Sequence, residues 1–199
     1  MIAAVVLAAG ASSRMGRPKA ALPLGDRGET VLSRGVASLL AAGVPRVAVV
    51  AGAHVDAVQR ALLVRDQAVR IVEHPGWREG QLSSLLCGLE VVDGPDLEAL
   101  LVTLVDVPLV SPDTTRRLIR AWRDTGAPIV RPARGEEHGH PVLIDRRLFA
   151  ELRAADPRHG AKPVVHAHAS ELLNVPVTDE GAFLDIDTPA DYERARGLV

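Results

Sequence analysis

A single cysteine, Cys87, stands in a chain of 199 residues, which excludes an internal disulfide and fits a reducing compartment, the cytoplasm. Long apolar runs are missing too. The run from Ile2 to Ala9 is too short to span a bilayer and has no basic leader before it, so neither a membrane anchor nor a secretory signal is expected, and the mature chain is expected to start at Met1. There is no excess of charge of either sign: the net charge is −2 and the isoelectric point is near 6.4. That balance excludes the broad positive field that holds DNA or RNA and leaves a small anionic ligand met by a local cationic loop. Lysine is nearly absent, since among 23 basic residues only Lys19 and Lys162 are lysines. Lys19 therefore stands out: a compact ammonium acts on phosphate as a point charge, where arginine would impose a planar fork. Activated nucleophiles are missing as well. Cys87 lies among Leu85, Leu86 and Leu89 and reads as a buried structural thiol, and no Ser-His-Asp set is visible. His166 and His168 are two apart on a helical stretch and do not share a face, which argues against zinc.

What is present is an alternation. Apolar, β-branched runs at residues 2–7, 46–50, 69–72, 99–104 and 129–130 are separated by helical stretches, a pattern that implies an α/β fold with a parallel sheet. The run around Val47 is apolar on both faces, as strands are when helices cover both sides. Thr30 caps a helix that closes at Gly43, and Ser111-Pro-Asp113 opens another that ends near Gly126. After Pro132 the pattern loosens into turn residues and charge, then resumes at 141–144, so residues 132–144 read as a β-hairpin or lid returning to the sheet. With 47% hydrophobic residues and no linker, repeat or low-complexity tract, one domain over residues 1–199 is expected. Its nucleotide-binding part is placed at residues 1–110 and its acceptor-binding part at 111–199.

The most informative stretch is Leu7-Ala-Ala-Gly-Ala-Ser-Ser-Arg-Met-Gly-Arg-Pro-Lys19, where the first apolar run empties into a loop of small residues and cations. Small side chains let backbone N–H groups approach a ligand closely, and concave arrays of such groups bind anions. Two familiar glycine loops do not fit. A dinucleotide fold wants G-x-G-x-x-G, but Gly10 is followed next by Gly16; a Walker loop wants Gly-Lys before Ser or Thr, but Gly16 is followed by Arg17. A second acid-bearing strand end is at Asp106, which follows the apolar run 99–104 and precedes Pro108. A carboxylate there can hold Mg²⁺, which takes one or two protein carboxylates plus phosphate oxygens. Alone, Asp106 also reads as a turn cap, and Asp187-Thr-Pro-Ala also reads as the start of a last helix capped by Thr188.

The loop from Leu7 to Lys19 resembles the signature L-A-[AG]-G-x-S-x-R-M-G-x-x-K of the molybdenum cofactor nucleotidyltransferases at every specified position. Asp106-Val-Pro108 is similar to that family's metal-binding Asp-x-Pro, and Asp185-Ile-Asp-Thr-Pro-Ala-Asp191 to its C-terminal metal motif. Gly80-Gln-Leu-Ser-Ser-Leu85 and Gly139-His-Pro-Val142 resemble segments of its cytidylyl branch. The resemblance implies a three-layer α/β/α sandwich with a mostly parallel, Rossmann-like sheet of the nucleotide-diphospho-sugar transferase type. It implies an enzyme that moves CMP from CTP to the terminal phosphate of molybdopterin, with Mg²⁺ as cofactor and a molybdoenzyme as the receiver of the product. On this resemblance Leu7, Ala8, Ala9, Gly10, Ser12, Arg14, Lys19, Gly80 and Ser84 bind the nucleotide, Arg14, Lys19 and Asp106 are catalytic, and Asp106 and Asp187 hold the metal. Asp185 is the weaker metal candidate, and Gly139, His140 and Pro141 shape the acceptor pocket. Cytidylyl members carry Leu-Ala-Ala-Gly and guanylyl members Leu-Ala-Gly-Gly, so Ala8 and Ala9 favour CTP. The family's Gly-Asp-x-Gly-Ala segment stands here as Pro157-Arg-His-Gly-Ala161 and lacks the acid. Two other readings share these residues: a cytidylyl- or uridylyltransferase acting on a sugar or polyol phosphate, and a non-catalytic protein that binds and escorts the cofactor.

Overall fold

Every residue of the first strand is buried, and that sets the architecture, because a strand apolar on both faces has to sit in the middle of a sheet between two layers. The computed structural model describes residues 1–12, 15–26 and 28–199, among which the chain forms eight strands and seven α-helices. Strand β1 (Ile2–Ala8) runs parallel to β2 (Val47–Ala51) on one side and to β4 (Ala99–Leu104) on the other, and β2 is parallel to β3 (Val69–Glu73). The sheet order is β3-β2-β1-β4-β7-β5-β6, with β8 (Leu173–Pro176) paired to β5 (Ile129–Arg134). Strand β7 (Val142–Asp145) lies antiparallel between β4 and β5, and β6 (Glu137–His138) is a short antiparallel partner of β5.

Period-two alternation divides the core into two faces. Ala4, Val6 and Ala8 pack with Leu32, Val36 and Leu39 of α1 (Val31–Ala41), Val58 of α2 (Val55–Ala61) and Leu118 of α4 (Pro112–Thr125). Ala3, Val5 and Leu7 pack with Leu82, Leu85 and Leu89 of α3 (Gln81–Val92), Leu152 of α5 (Phe149–Ala154) and Val164 of α6 (Lys162–Ala167). Helix α3 lies so near the sheet that a Cβ on Gly88 would come within 2.6 Å of the Val5 side chain. A third cluster ties the segment after the first loop to the end of the chain: Leu22, Leu24 and Val31 meet Leu184, Ile186 and Tyr192. Tyr192 lies on α7 (Pro189–Arg196) and donates its hydroxyl to the Pro23 carbonyl.

The caps stand where the sequence puts them. Thr30 accepts from Ser33 N at 3.0 Å, Ser111 from Thr114 N at 3.2 Å, and Gly126 closes α4 in the left-handed region with φ 65°. Thr188 and Asp191 form a reciprocal capping box at the start of α7. Residues 132–144 are a hairpin that returns to the sheet, and the fifth strand runs four residues past 130. Pro132 lies inside it, and its carbonyl accepts from Gly139 N at 3.0 Å. Cys87 is half-buried, and burial pushes its thiol above its ordinary pKa, as expected of a structural cysteine.

Candidate active site

Leu7 and Leu104 are partners in the β1–β4 register, so the loops that follow them leave the same edge of the sheet side by side. Open α/β sheets bind their ligands outside such carboxyl ends. Val105 N donates to the Leu7 carbonyl at 3.0 Å, which delivers Asp106 beside the first loop. From the far end of the chain, Ile186 N donates to the Asp106 carbonyl at 2.8 Å and brings Asp187 to the same place. Lys19 opens a 3₁₀ turn (Lys19–Ala21), and its backbone N–H donates to Ser12 Oγ at 3.2 Å. Ser12 itself sits at φ 51°, a region that costs a side-chain-bearing residue energy and so marks a constrained loop.

These elements place a buried cation between two acids. Lys19, 7% exposed, donates through Nζ to Asp106 Oδ2 at 2.8 Å and to Asp187 Oδ1 at 2.6 Å. Burial alone would lower its pKa, but the hydrogen bonds to Asp106 and Asp187 outweigh burial and hold the ammonium above its ordinary value. The other oxygen of Asp106, Oδ1, is buried and has no hydrogen-bond partner among the described residues. Burial, and behind it the charge of Asp106, raises the Asp185 carboxyl above the ordinary range.

The charged end opens into a cleft of about 400 Å³. Leu7, Ala8, Ala9, Gly10 and Ser12 line it from the first loop, Gly80 and Ser84 from the start of α3, and Lys19, Asp106 and Asp187 from its charged end. The expected nucleotide residues are thus brought together, apart from Arg14, which lies outside the described residues. Sequence reasoning missed His54, Trp77 and Gln81 in the same wall. His54 Nε2 is 3.0 Å from the Ala11 carbonyl and steadies the loop. Trp77 lies against Gly52, where a Cβ would come within 2.6 Å of the Trp77 Cβ, and the Arg78 guanidinium covers its ring at 4.5 Å. A glycine just past an apolar strand signals such a close approach, and Gly52 was the clue available.

The expected acceptor residues are placed differently. None of Gly139, His140 and Pro141 is among the described lining of the cleft. Gly139 is required by packing, since a Cβ there would lie 2.1 Å from the Ala182 carbonyl. His140 is half-buried behind the acids with Nδ1 3.4 Å from the Val102 carbonyl, and loss of water around its ring holds the imidazole below the ordinary pKa against the opposing charges of Asp185 and Asp106.

Among the described residues no group of three His, Cys, Asp or Glu forms a metal cage. Two carboxylates, one with a buried and unpartnered oxygen, nevertheless fit a hard cation that draws its remaining ligands from phosphate and water. They fit neither a zinc site nor a calcium loop, both of which need more protein donors.

The MobA-like NTP transferase domain model matches residues 4–172. The chain belongs to the MobA-like NTP transferase family. It is therefore a nucleotidyltransferase. Curated relatives of this MobA-like chain include the molybdenum cofactor guanylyltransferase of Cereibacter sphaeroides, 33% identical over 98% of this chain and 95% of the relative. They also include the nicotine blue oxidoreductase of Paenarthrobacter nicotinovorans, 33% identical over 94% and 92%. Among solved structures, Rv0371c of Mycobacterium tuberculosis superposes with a TM-score of 0.82 at 32% identity, covering 98% of this chain and 97% of that one. A further structure of the mycobacterial protein is a complex with manganese, with a TM-score of 0.76 at 30% identity over 98% and 97%. A nucleotidyl transferase of Methanothermobacter thermautotroptrophicus gives 0.82 at 30% identity over 100% and 97%.

Proposed function

We propose that this MobA-like transferase moves CMP from CTP to the terminal phosphate of molybdopterin, releasing pyrophosphate, with Mg²⁺ as its metal and the cytoplasm as its compartment. The observation that carries the reading is Lys19 held between Asp106 and Asp187 at the mouth of a cleft walled by the Leu7–Lys19 loop. An oxygen of the acceptor phosphate attacks the α-phosphorus of the nucleotide. The bond from that phosphorus to the β-bridging oxygen breaks, and pyrophosphate leaves with the electron pair. A phosphate nucleophile is already anionic and needs no base, which is why the site offers charge and positioning in place of a nucleophilic side chain. Lys19 supplies a cation to the triphosphate, and the loop of Ala8, Ala9 and Gly10 lets the backbone come close to it. Asp106 and Asp187 would hold Mg²⁺, which when bound neutralises phosphate charge. A molybdoenzyme is the expected receiver of the product.

Ala9 supports CTP, because it is one of the residues that line the cleft and stands where guanylyl members of the family it resembles have glycine. The names of the Cereibacter and Rhizobium meliloti relatives, both molybdenum cofactor guanylyltransferases, favour GTP as the second reading. The test is pyrophosphate release from each of CTP, GTP, ATP and UTP with Mg²⁺ and molybdopterin, and with a sugar phosphate as the control acceptor. The proposal expects the highest kcat/KM for CTP with molybdopterin. A preference for GTP transfers the assignment to the guanylyl reading, turnover only with the sugar phosphate moves the acceptor, and nucleotide binding without turnover leaves an escort protein.

A further inference from the structure

The turn that carries Gly80 is held from behind. His74, just past β3, donates its backbone N–H to the Ala51 carbonyl at 2.8 Å and turns its ring to Ser83, with Nε2 2.9 Å from Oγ. Ser83 Oγ also lies 2.8 Å from the Gly80 carbonyl. A hydroxyl has one hydrogen and a carbonyl can only accept. The Gly76 carbonyl is farther from the hydroxyl, at 3.5 Å; with the Ser83 hydrogen on the nearer carbonyl, that of Gly80, the bond to His74 is made by a hydrogen on His74 Nε2. The relay runs from the end of β3, through an imidazole and a hydroxyl, to the Gly80 peptide group. That peptide needs holding, because Gly80 sits at φ 119° and ψ 179°, a conformation that glycine permits without favouring it over others. Gly80 is also the N-cap of α3 and has no side chain with which to fix the helix start. Gly80 and Ser84 face the cleft, while His74 and Ser83 line a separate open groove on the far side of the turn.

We infer that His74 and Ser83 are positioning residues for the nucleotide. They touch no substrate; they fix the Gly80 turn and so the wall that Gly80 and Ser84 present to the base. The inference rests on the reading of the cleft as the nucleotide site. Three single variants test it. His74→Phe keeps an aromatic ring and removes the donor, His74→Gln keeps an N–H near the place of Nε2, and Ser83→Ala removes every contact of the hydroxyl. Binding of CTP and GTP is followed by tryptophan fluorescence, since Trp77 lines the cleft, beside steady-state kcat and KM and thermal melting.

His74→Phe and Ser83→Ala are expected to raise the nucleotide Kd and KM roughly three- to tenfold, the size of one neutral hydrogen bond, with kcat little changed. His74→Gln recovers most of that loss, and the double variant His74→Phe with Ser83→Ala is no weaker than Ser83→Ala alone. A structural role alone would lower the melting temperature and leave the KM of the folded protein where it was, and that result overturns the inference. So do additive losses in the double variant, or a His74→Gln protein as weak as His74→Phe. Should His74→Phe fail to fold, Ser83→Ala, which leaves the imidazole in place, decides by its KM-against-kcat split. A wild-type protein that binds neither CTP nor GTP overturns instead the reading of the cleft.

Discussion

Lys19 and Asp106 form the shortest path from residue chemistry to function. The ammonium is a resident counterion for two acids, so each acid should be costly to alter for the reaction and tolerable for the fold. Asp106→Asn keeps the shape and removes the charge. It is expected to cut pyrophosphate release by about a hundredfold or more, the scale on which one transition-state electrostatic contact acts, while the melting temperature falls little. Lys19→Ala removes a charged donor worth about 1.5–3 kcal/mol and should lower kcat/KM for the nucleotide roughly ten- to a hundredfold, checked in the same assay. The loop signature and the Asp-x-Pro resemblance pointed to both residues, and the structure brings them together at one end of the cleft. His54 and Trp77 were not legible in the sequence, because nothing local distinguishes a side chain that lines a cleft from one that fills a core. Only the crossing of Gly52 over Trp77 separates the two.

Elements of strong period were readable, and short ones were not. The caps at Thr30 and Ser111 and the stop at Gly126 follow from side-chain hydrogen bonding and left-handed backbone, which are properties of a few adjacent residues. Strand β8 and helices α2 and α5 span four to seven residues, too few for a pattern, and owe their form to the layers they complete. The segment that delivers Asp187 is one that only tertiary contacts explain. A Cβ on Gly181 would lie 2.0 Å from the Leu109 carbonyl, and Asp179 is tied to Ser111 N and Thr114 Oγ1 at 2.8 and 2.6 Å. Gly181→Ala should push this segment off the Leu109 turn that precedes α4, cost about 1–3 kcal/mol of stability as overpacked sites do, and cost more activity than stability because Asp187 moves with it; urea melts beside pyrophosphate release check both. At the α5–α6 end, the Glu151 carboxylate hydrogen-bonds His168 and holds its imidazole above the ordinary 6.5. A raised histidine stabilises the folded state below its unfolded pKa, and that stabilisation is lost as pH rises through the folded value. His168→Ala should therefore lower the melting temperature at pH 5.5 and leave it nearly unchanged at pH 9.

On the scale of the whole molecule, the α/β class and its parallel core were legible because β1 and β2 are apolar throughout and β4 is apolar but for Thr103. The antiparallel insertion of β7 between β4 and β5 was not, since pairing partners are chosen across the chain and leave no local mark. Long-range contact also governs the site. Lys19 meets Asp187 across 168 positions of sequence, whereas all eight strands are complete at Pro176. Synthesis from the N-terminus therefore finishes the sheet before it finishes the site. A chain stopped after residue 178 should keep a parallel-sheet circular dichroism signature, melt at a lower temperature for want of the Leu184–Tyr192 cluster, and release no pyrophosphate. The segment that carries Asp187 thus works as a late check: a chain that stops before it can acquire the scaffold, the cleft and the Lys19–Asp106 pair, but not the second acid on Lys19, and is expected not to consume nucleotide unproductively.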